Sequence, residues 1–390
     1  MANSNVTETS SATLPSRRPA SKMRDAAARM LATAGIQING PNPWDIQVHD
    51  ERVYARTFSQ GTLGFGEAYM DGWWDCEQLD EFVARMMTTK AHYRLPRNLN
   101  TILLYLLARW TNRQSKRRAW MAADVHYDLG NDLFAATFDS RLTGSCGYWA
   151  RAATLDEAQD AKLDLICRKI GLRPGQHVLD IGCGWGAFMG FAAERTGARC
   201  SGVTVSKEQV AYIGKRYKGM PIAAELKDYR DITGTYDHVV SMGMFEHVGY
   251  KNYRTYFQTA HRALKDDGLF LLHTIGGNTT TNVIDPWMDK YIFPNGVLPS
   301  IQQVGAAIEG LFTVEDWHNF GADYDKTLMA WFRKFDGNWP SLTGKYDERF
   351  YRMWKYYLLA CAGGFRARHI QLWQIVLAKK GVPGGYASVR

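Results

Sequence analysis

Apolar residues along this chain follow two patterns, and the change between them falls near residue 150. In the first part, segments 23–34, 79–87 and 99–110 carry apolar residues at helical spacing, and segment 44–48 is typical of a short strand. From Thr154 onward, short apolar runs alternate with helical segments. Strands separated by helices usually form a parallel sheet that is covered on both faces, so this part predicts a doubly wound α/β fold.

The second pattern predicts seven strands and a well-marked first helix. Thr154 and Glu157 form a capping box, and Leu155, Ala158, Ala161 and Leu165 mark the buried face of the helix that follows. Further helices are predicted over 187–195 and 251–264. The predicted strands span 177–181, 199–205, 222–226, 238–242, 269–274, 312–317 and 372–378.

Four regions follow from this organisation. Residues 1–20, rich in Ser, Thr and Ala, predict a disordered tail without the apolar core of a secretory signal. Residues 21–115 predict a small, mainly helical N-terminal domain, which includes a glycine- and aromatic-rich stretch at 61–74. Residues 116–150 form a linker, and residues 151–390 form the sheet domain.

Composition narrows the classes of function. Of the 390 residues, 46% are hydrophobic and 13% aromatic, which fits either a large core or a substrate channel lined with rings. The net charge of +8 favours an anionic partner, either nucleic acid or a membrane surface. The six cysteines show no metal-ligand spacing and favour a reduced, cytoplasmic setting. No apolar run approaches the roughly 20 residues that span a bilayer.

A glycine-rich turn follows the first predicted strand of the sheet domain. Glycines 182, 184 and 186 let a ligand lie against the backbone at a helix N-terminus, and Asp180 ends the strand. The spacing GxGxG could serve a dinucleotide, but the acid suits the cationic amino-acid end of S-adenosylmethionine better than a pyrophosphate. The second strand ends at Ser206 without the acid that would hold a dinucleotide ribose. Asp228 and Tyr229 follow the third strand, and are either adenine contacts or ordinary loop residues.

Titratable residues cluster after the fourth and fifth strands, where ligands bind in open α/β sheets. Glu246 and His273 are candidates for handling a proton, whereas His247 has the more ordinary interpretation of a structural histidine. Cys146 is either a small buried hydrophobe or a reactive thiolate. Cys361 lies on a helical segment and is predicted to belong to the core.

Several segments together resemble the cyclopropane-fatty-acid synthases and, more distantly, the mycolic-acid cyclopropane synthases. The resemblance covers nearly the whole chain after the tail. It is carried by YMDGWW (69–74), QSKRRAW (114–120), HYDLGND (126–132), LDIGCGWG (179–186), GMFEH (243–247), DPW (285–287), YIFPNG (291–296) and WHNFGADY (317–324). The N-terminal domain resembles the lipid-binding domain of the bacterial phospholipid enzymes.

The resemblance implies a class I, Rossmann-like methyltransferase fold and a specific reaction. The methyl group of S-adenosylmethionine is expected to pass to a cis double bond of a phospholipid acyl chain, and loss of a proton then closes a cyclopropane ring. A bicarbonate ion is expected to act as base. It would be held by residues matching Cys146, Glu246, His273, Ile275 and Tyr324, and the cofactor by residues matching Ser145, Gly182, Gly184, Thr204, Gln209, Asp228 and Tyr229. The glycine-rich turn and the strand ends described above add Asp180, Gly186 and Ser206 to the residues expected to bind the cofactor.

Other expectations concern aromatic residues near the cofactor and basic residues at the protein surface. The family has a tyrosine where this chain has Gly144, so either cofactor affinity is weakened or another ring fills the gap. Trp287, Tyr291, Phe293 and Tyr324 are either core residues or rings that stabilise a passing cation. Arg113, Lys116, Arg117 and Arg118 form either a solvated helix face or a contact with anionic membrane. Relatives imply a homodimer, peripheral on the inner face of the cell membrane, with no nucleic-acid partner and no metal.

Two alternatives remain at this point. A small-molecule or phospho-base N-methyltransferase would share the sheet domain, but would need neither the N-terminal domain nor so apolar an insert after the fifth strand. A basic lipid-binding or RNA-binding protein on a decayed methyltransferase fold would not need the complete set of Asp180, the three glycines, Glu246 and His273.

Overall fold

The computed structural model describes residues 19–91, 111–116 and 130–390. The predicted helix over 99–110 lies outside these residues. Within them, no helix is both long and apolar enough to cross a membrane.

Within residues 19–91, the N-terminal part contains four helices and one short strand pair. In the strand predicted over 44–48, residues 47 and 48 pair antiparallel with residues 74 and 75, and Ile46 forms an isolated parallel bridge with Ile38. The elements are α1 (Pro19–Ala32), β1 (Gln47–Val48), α2 (Arg52–Gln60), α3 (Thr62–Met70), β2 (Trp74–Asp75) and α4 (Leu79–Thr88).

The glycine-rich stretch 61–74 contains helix α3, which packs unusually close to its neighbours. A Cβ atom at Gly66 would lie 2.5 Å from the ring of Trp287, and one at Gly64 would lie 2.5 Å from the carbonyl oxygen of Arg56. Real Cβ atoms do not approach other atoms this closely, so these positions need glycine for contact between helices. The glycines of this stretch therefore serve close packing.

The second part is a seven-stranded sheet with helices on both faces, so the predicted doubly wound α/β fold is confirmed. The strands are β3 (His177–Ile181), β4 (Arg199–Thr204), β5 (Ile222–Leu226), β6 (Tyr236–Met242), β7 (Leu264–Gly277), β8 (Thr313–Asn319) and β9 (Ile370–Ala378). The helices are α5 (Asn131–Thr137), α6 (Leu155–Lys169), α7 (Ala187–Thr196), α8 (Lys207–Arg216), α9 (Tyr253–Ala263), α10 (Pro286–Tyr291), α11 (Ile301–Ile308), α12 (Ala322–Asn338) and α13 (Glu348–Arg366). The predicted capping box of Thr154 and Glu157 begins α6.

The prediction of an all-parallel sheet is wrong for the last strand. The strand order is β5-β4-β3-β6-β7-β9-β8, and β9 runs antiparallel to both of its neighbours. Between β8 and β9 the chain forms two helices, α12 and α13, that pack on each other. This helical pair returns the chain to the end of the sheet where β8 finished, so β9 starts beside Asn319 and runs the opposite way.

Helices α12 and α13 also connect the two parts of the molecule. Helix α4 packs on α13 at Gly363, where a Cβ atom would lie 2.3 Å from the carbonyl oxygen of Asp80. Arg366 reinforces the contact, since its guanidinium binds Asp80 at 2.6 Å and Asp325 of α12 at 3.0 Å. One hydrophobic cluster therefore runs from the N-terminal helices into the helical pair. The domain boundaries given above stay a prediction.

Candidate active site

A cavity of about 290 Å³ lies at the carboxyl ends of strands β3 to β6. Seven of the residues predicted to bind the cofactor line it: Ser145, Gly182, Gly184, Thr204, Gln209, Asp228 and Tyr229. We call this space the cofactor cavity. Its position agrees with the rule that ligands bind beyond the carboxyl ends of parallel strands.

The glycines of the turn after β3 have separate tasks. Gly182 and Gly184 adopt positive φ angles of 83° and 53°, and a Cβ atom on Gly184 would point into open space at the cavity. Gly186 is the N-cap of α7, and a Cβ atom there would lie 2.9 Å from Ile213 and 3.0 Å from Tyr217. Gly186 is thus required for packing, whereas Gly184 leaves room for a ligand against the backbone.

The ends of β4 and β5 supply polar groups with defined partners. Thr204 Oγ1 donates a hydrogen bond to Gln209 Oε1 at 2.6 Å, which fixes two cavity-lining side chains. Ser206 does not line the cavity, since its hydroxyl caps helix α8 by accepting from the Gln209 amide at 3.3 Å. Asp228 is buried and binds the guanidinium of Arg230 at 2.8 Å.

Asp180 is completely buried beneath the glycine turn and does not line the cavity. Burial raises the pKa of its carboxyl to about 7, and the nearby Lys162 opposes that rise. Lys162 was missed from the sequence, although it lies on the predicted buried face of α6, four residues after Ala158 and three before Leu165. A lysine at such a position is the signal that could have found it.

Of the residues predicted to hold the base, Tyr324 lines the cofactor cavity and the other four do not, and we call Cys146, Glu246, His273, Ile275 and Tyr324 the base cluster. Glu246 Oε1 accepts a hydrogen bond from the Ile275 amide at 2.6 Å. Among the described residues, Glu246 Oε2 and His273 Nε2 are both buried without a hydrogen-bond partner. Tyr324, which lines the cofactor cavity, lies within electrostatic range of Cys146 and Glu246.

Burial controls the protonation of the base cluster. It raises the pKa of Glu246 to about 7, while burial and the charges of Lys162 and Lys169 hold the pKa of His273 far below its ordinary value. Burial also holds the pKa of the Cys146 thiol well above its ordinary range, so this group is a neutral thiol near pH 7. A thiolate nucleophile is therefore disfavoured, and neutral hydrogen-bonding groups surround the unpaired atoms.

The unpaired atoms of the base cluster fit a small oxyanion. A phenol and a protonated carboxyl group can each donate a hydrogen bond to such an ion, whereas the neutral Cys146 thiol donates to the Gly147 carbonyl oxygen at 3.1 Å. Buried polar atoms normally have partners, so Glu246 Oε2 and His273 Nε2 mark a place for a polar ligand.

The aromatic residues of the insert after β7 divide into two groups. Trp287 Nε1 donates a hydrogen bond to Met70 Sδ of α3 at 3.4 Å, and Tyr291 donates one to Glu67 of α3 at 2.8 Å, so both belong to the contact with the N-terminal helices. Phe293 lines the cavity. Rings that sequence reasoning missed complete the lining: Phe134, Phe138, Trp185, Trp354 and Tyr357.

Phe138 occupies the space beside Gly144. A Cβ atom on Gly144 would lie 3.5 Å from the Phe138 ring, and both residues line the cofactor cavity. An aromatic face is thus present next to the position where the family has a tyrosine. His247 also lines the cavity and is exposed.

The two described members of the basic stretch are both ion-paired. Arg113 lines the cofactor cavity and binds Asp289 at 2.8 Å, whereas Lys116 lies at the surface and binds Asp231 at 2.5 Å. Arg117 and Arg118 lie outside the described residues.

This fold and cavity define a class I, S-adenosylmethionine-dependent methyltransferase. The family model for mycolic acid cyclopropane synthetase matches residues 114–375, and the chain belongs to that family. It is 50% identical over 364 residues to the cyclopropane-fatty-acyl-phospholipid synthase of Escherichia coli (strain K12), covering 93% of this chain and 95% of the relative. The predicted family and enzyme class are confirmed.

Two solved structures add to this picture. The mycolic acid cyclopropane synthase CmaA1, complexed with SAH and CTAB, superposes with a TM-score of 0.62 at 34% identity, covering 66% of this chain and 97% of that chain. Coclaurine N-methyltransferase superposes with a TM-score of 0.66 at 21% identity, covering 80% of this chain and 98% of that chain. The second likeness shows the fold alone, so the fold does not separate the two kinds of methyltransferase.

Proposed function

We propose that this protein forms cyclopropane rings in membrane lipids. A methylene group derived from the methyl of S-adenosylmethionine would be added to a cis double bond of an unsaturated phospholipid acyl chain. The observation that carries the proposal is the 50% identity, over nearly the full length of both chains, to an enzyme named for this activity. The cofactor cavity supports it, because Gly182, Gly184, Thr204, Gln209 and Asp228, all expected to contact the cofactor, line this cavity.

The aromatic lining suits an unactivated alkene. Such a double bond is a poor nucleophile, and methyl transfer to it leaves positive charge on the neighbouring carbon. Exclusion of water and ring faces near that carbon lower the energy of the charge. Phe138, Phe293, Tyr324 and Tyr357 line the cavity and can supply these faces.

We further propose that the base cluster holds a bicarbonate ion. When bound, bicarbonate supplies an acceptor for the proton that leaves the new methyl group. The support is the pair of unpaired buried atoms on Glu246 and His273, together with the neutral Cys146 thiol. Tyr324 belongs to the base cluster and also lines the cavity, so it would border both the reacting chain and the base.

The lipid substrate implies contact with a membrane. We propose that the enzyme is a cytoplasmic homodimer that binds the inner face of the cell membrane peripherally, through Lys116, Arg117, Arg118 and the N-terminal domain. The net charge of +8 supports an anionic surface as partner.

Lipid analysis in a host that makes no cyclopropanes tests the activity. Expression of the chain should convert unsaturated phospholipid chains to species heavier by one CH₂ unit that resist hydrogenation. Expression of a Glu246→Gln variant provides the matched control. Unchanged acyl chains with folded protein present would contradict the proposal. A CH₂ gain on amine headgroups would instead favour the N-methyltransferase alternative.

A further inference from the structure

Helix α6 buries two lysines on the same face. Lys162 is 0% and Lys169 is 1% exposed. A buried ammonium group is costly unless it is paired, so each needs a compensating environment. Lys169 has one, since its Nζ lies 3.4 Å from Asp316 and 3.1 Å from His318 Nδ1, at the side of the sheet where the C-terminus packs.

Lys162 points instead towards the active site. Its Nζ donates a hydrogen bond to Ser145 Oγ at 2.9 Å and lies 3.8 Å from Met242 Sδ. Both Ser145 and Met242 line the cofactor cavity. Lys162 therefore contacts the cavity wall from behind, without lining the cavity itself.

The segment that Lys162 contacts joins the cofactor cavity to the base cluster. Ser145 lines the cavity and Cys146 belongs to the cluster. Helix α6 holds this segment a second time, since Gln159 Nε2 donates to the Ser145 carbonyl oxygen at 2.8 Å. From the other side, the Gly147 amide donates to Thr327 Oγ1 at 3.1 Å.

Asp180 supplies an independent observation. Both of its carboxyl oxygens are buried and have no hydrogen-bond partner among the described residues. The charge that acts on this carboxyl is that of Lys162. Lys162 forms no ion pair with Asp180 within 4.0 Å and is also influenced by Asp139, so it acts on Asp180 only through its charge, and the two buried carboxyl oxygens leave room for a polar ligand as partner.

We propose that Lys162 is a positioning residue for the cofactor: its ammonium group holds Ser145 Oγ against the cavity and is the cation that acts on the buried Asp180 carboxyl beneath the glycine turn. The proposal rests on the cofactor site proposed above. It assigns Lys162 no contact with the reacting atoms.

The charge of Lys162 changes the pKa of Asp180 in a definite direction, because a nearby cation favours the carboxylate form. The groups that face Asp180 are Lys162 from α6, Cys183 from the glycine turn, Cys200 from β4 and Tyr256 from α9. Burial raises the pKa values of both thiols and of the phenol, so these three groups are neutral near pH 7 and Lys162 is the one cation in the set. The pKa of Asp180 is already raised to about 7, and removal of Lys162 would raise it further.

Cofactor affinity should follow the ionisation of Asp180. The cofactor carries an ammonium group that favours the carboxylate form, so affinity is present above the pKa of Asp180 and is lost as pH falls through it. Without Lys162 this loss should begin at higher pH. Each unit by which the pKa rises costs roughly tenfold in affinity below the new value.

Titration calorimetry with S-adenosylhomocysteine on both sides of pH 7 tests the proposal. Lys162→Met should weaken binding roughly 10- to 100-fold at neutral pH and shift the acid limb upward. Lys169→Met removes the other buried charge of the same helix, and should keep the wild-type affinity and pH profile. Thermal unfolding of both variants measures the cost of the lost charge to the fold.

Two further variants separate the hydrogen bond from the charge. Lys162→Gln keeps a donor towards Ser145 but not the charge, so it should still shift the acid limb, and it replaces Lys162→Met if that variant does not fold. Ser145→Ala alone should weaken S-adenosylhomocysteine binding. Combined with Lys162→Met, it should weaken binding little further than Lys162→Met does alone. Equal affinity and pH profile in the Lys162 and Lys169 variants would overturn the inference. Absence of binding by the wild type would instead contradict the cofactor site itself.

Discussion

The cofactor cavity and the base cluster lie at the same edge of the sheet but are built differently. Backbone turns and short polar side chains with partners, such as Thr204 with Gln209, form the cofactor side. The base cluster consists of buried titratable groups, of which Glu246 and His273 have atoms without partners. A ligand on the first side is recognised by shape against the backbone, whereas a ligand on the second side completes hydrogen bonds. Variants should therefore separate affinity from turnover.

The largest expected effect is on turnover in Glu246→Gln. Loss of the carboxyl group should lower the rate roughly 10²–10⁴-fold, the range typical of misplacing a general base. Binding of S-adenosylhomocysteine should stay within a few-fold of wild type, because Glu246 does not line the cofactor cavity. Glu225→Gln, at an exposed carboxylate of β5, is the matched control. Turnover near the wild-type level would remove Glu246 from the mechanism.

The reverse pattern, in which the main loss is in cofactor affinity, is expected for Gly184→Val. Its side chain would enter the open space beside the turn and should weaken S-adenosylhomocysteine binding by about 100-fold or more, a loss of about 2.7 kcal/mol. Gly184 has a φ of 53°, so backbone strain must be controlled. Gly171→Val introduces similar strain, at a φ of 60° and with nothing within 4 Å, away from the cavity. Equal affinities of the two variants by calorimetry would contradict the cofactor site.

Substitutions at the proposed membrane contact should alter neither the cofactor cavity nor the base cluster. Each basic residue near an anionic surface contributes about 1 kcal/mol, so Arg117→Glu with Arg118→Glu should weaken vesicle binding roughly 30-fold or more at low salt. Added salt should weaken wild-type binding as well. The control is Lys215→Glu, in the last turn of α8, combined with Lys218→Glu, two residues beyond the end of that helix. If the protein bound neutral and anionic vesicles alike, and if neither salt nor either double variant changed that binding, the basic patch would be excluded as the membrane contact.

The smallest expected effect is that of Cys146→Ser. A serine hydroxyl can replace a thiol as hydrogen-bond donor, so turnover should fall only severalfold, less than about tenfold. Wild-type turnover should be lower in bicarbonate-depleted buffer than in supplemented buffer. An inactive Cys146→Ser variant together with no effect of bicarbonate would favour a thiolate mechanism in place of the proposed base.

Local signals predicted the parts of the site that belong to one strand and the turn after it. Gly182 and Gly184 of the glycine turn and Asp228 after β5 line the cavity, because carboxyl ends of parallel strands meet at one edge, whereas Thr204 at the end of β4 was expected only from the family resemblance. The same reasoning failed for β9, since strand direction there depends on how two intervening helices pack. It also missed Lys162, because a search for apolar periodicity passes over a charged residue on an apolar face.

The amino-acid sequence alone determined the alternation of strands and helices, the glycine turn and the family, since each depends on residues that are near one another or on matching motifs. Only the tertiary structure decided which residues meet. Phe138 of the segment after α5 and Tyr357 of α13 line one cavity although more than two hundred positions separate them. It likewise decided that Glu246 and His273 are buried with unpaired atoms and that Gly66 contacts Trp287. Burial and contact arise from the packing of whole elements, and spacing along the chain does not encode which faces come together.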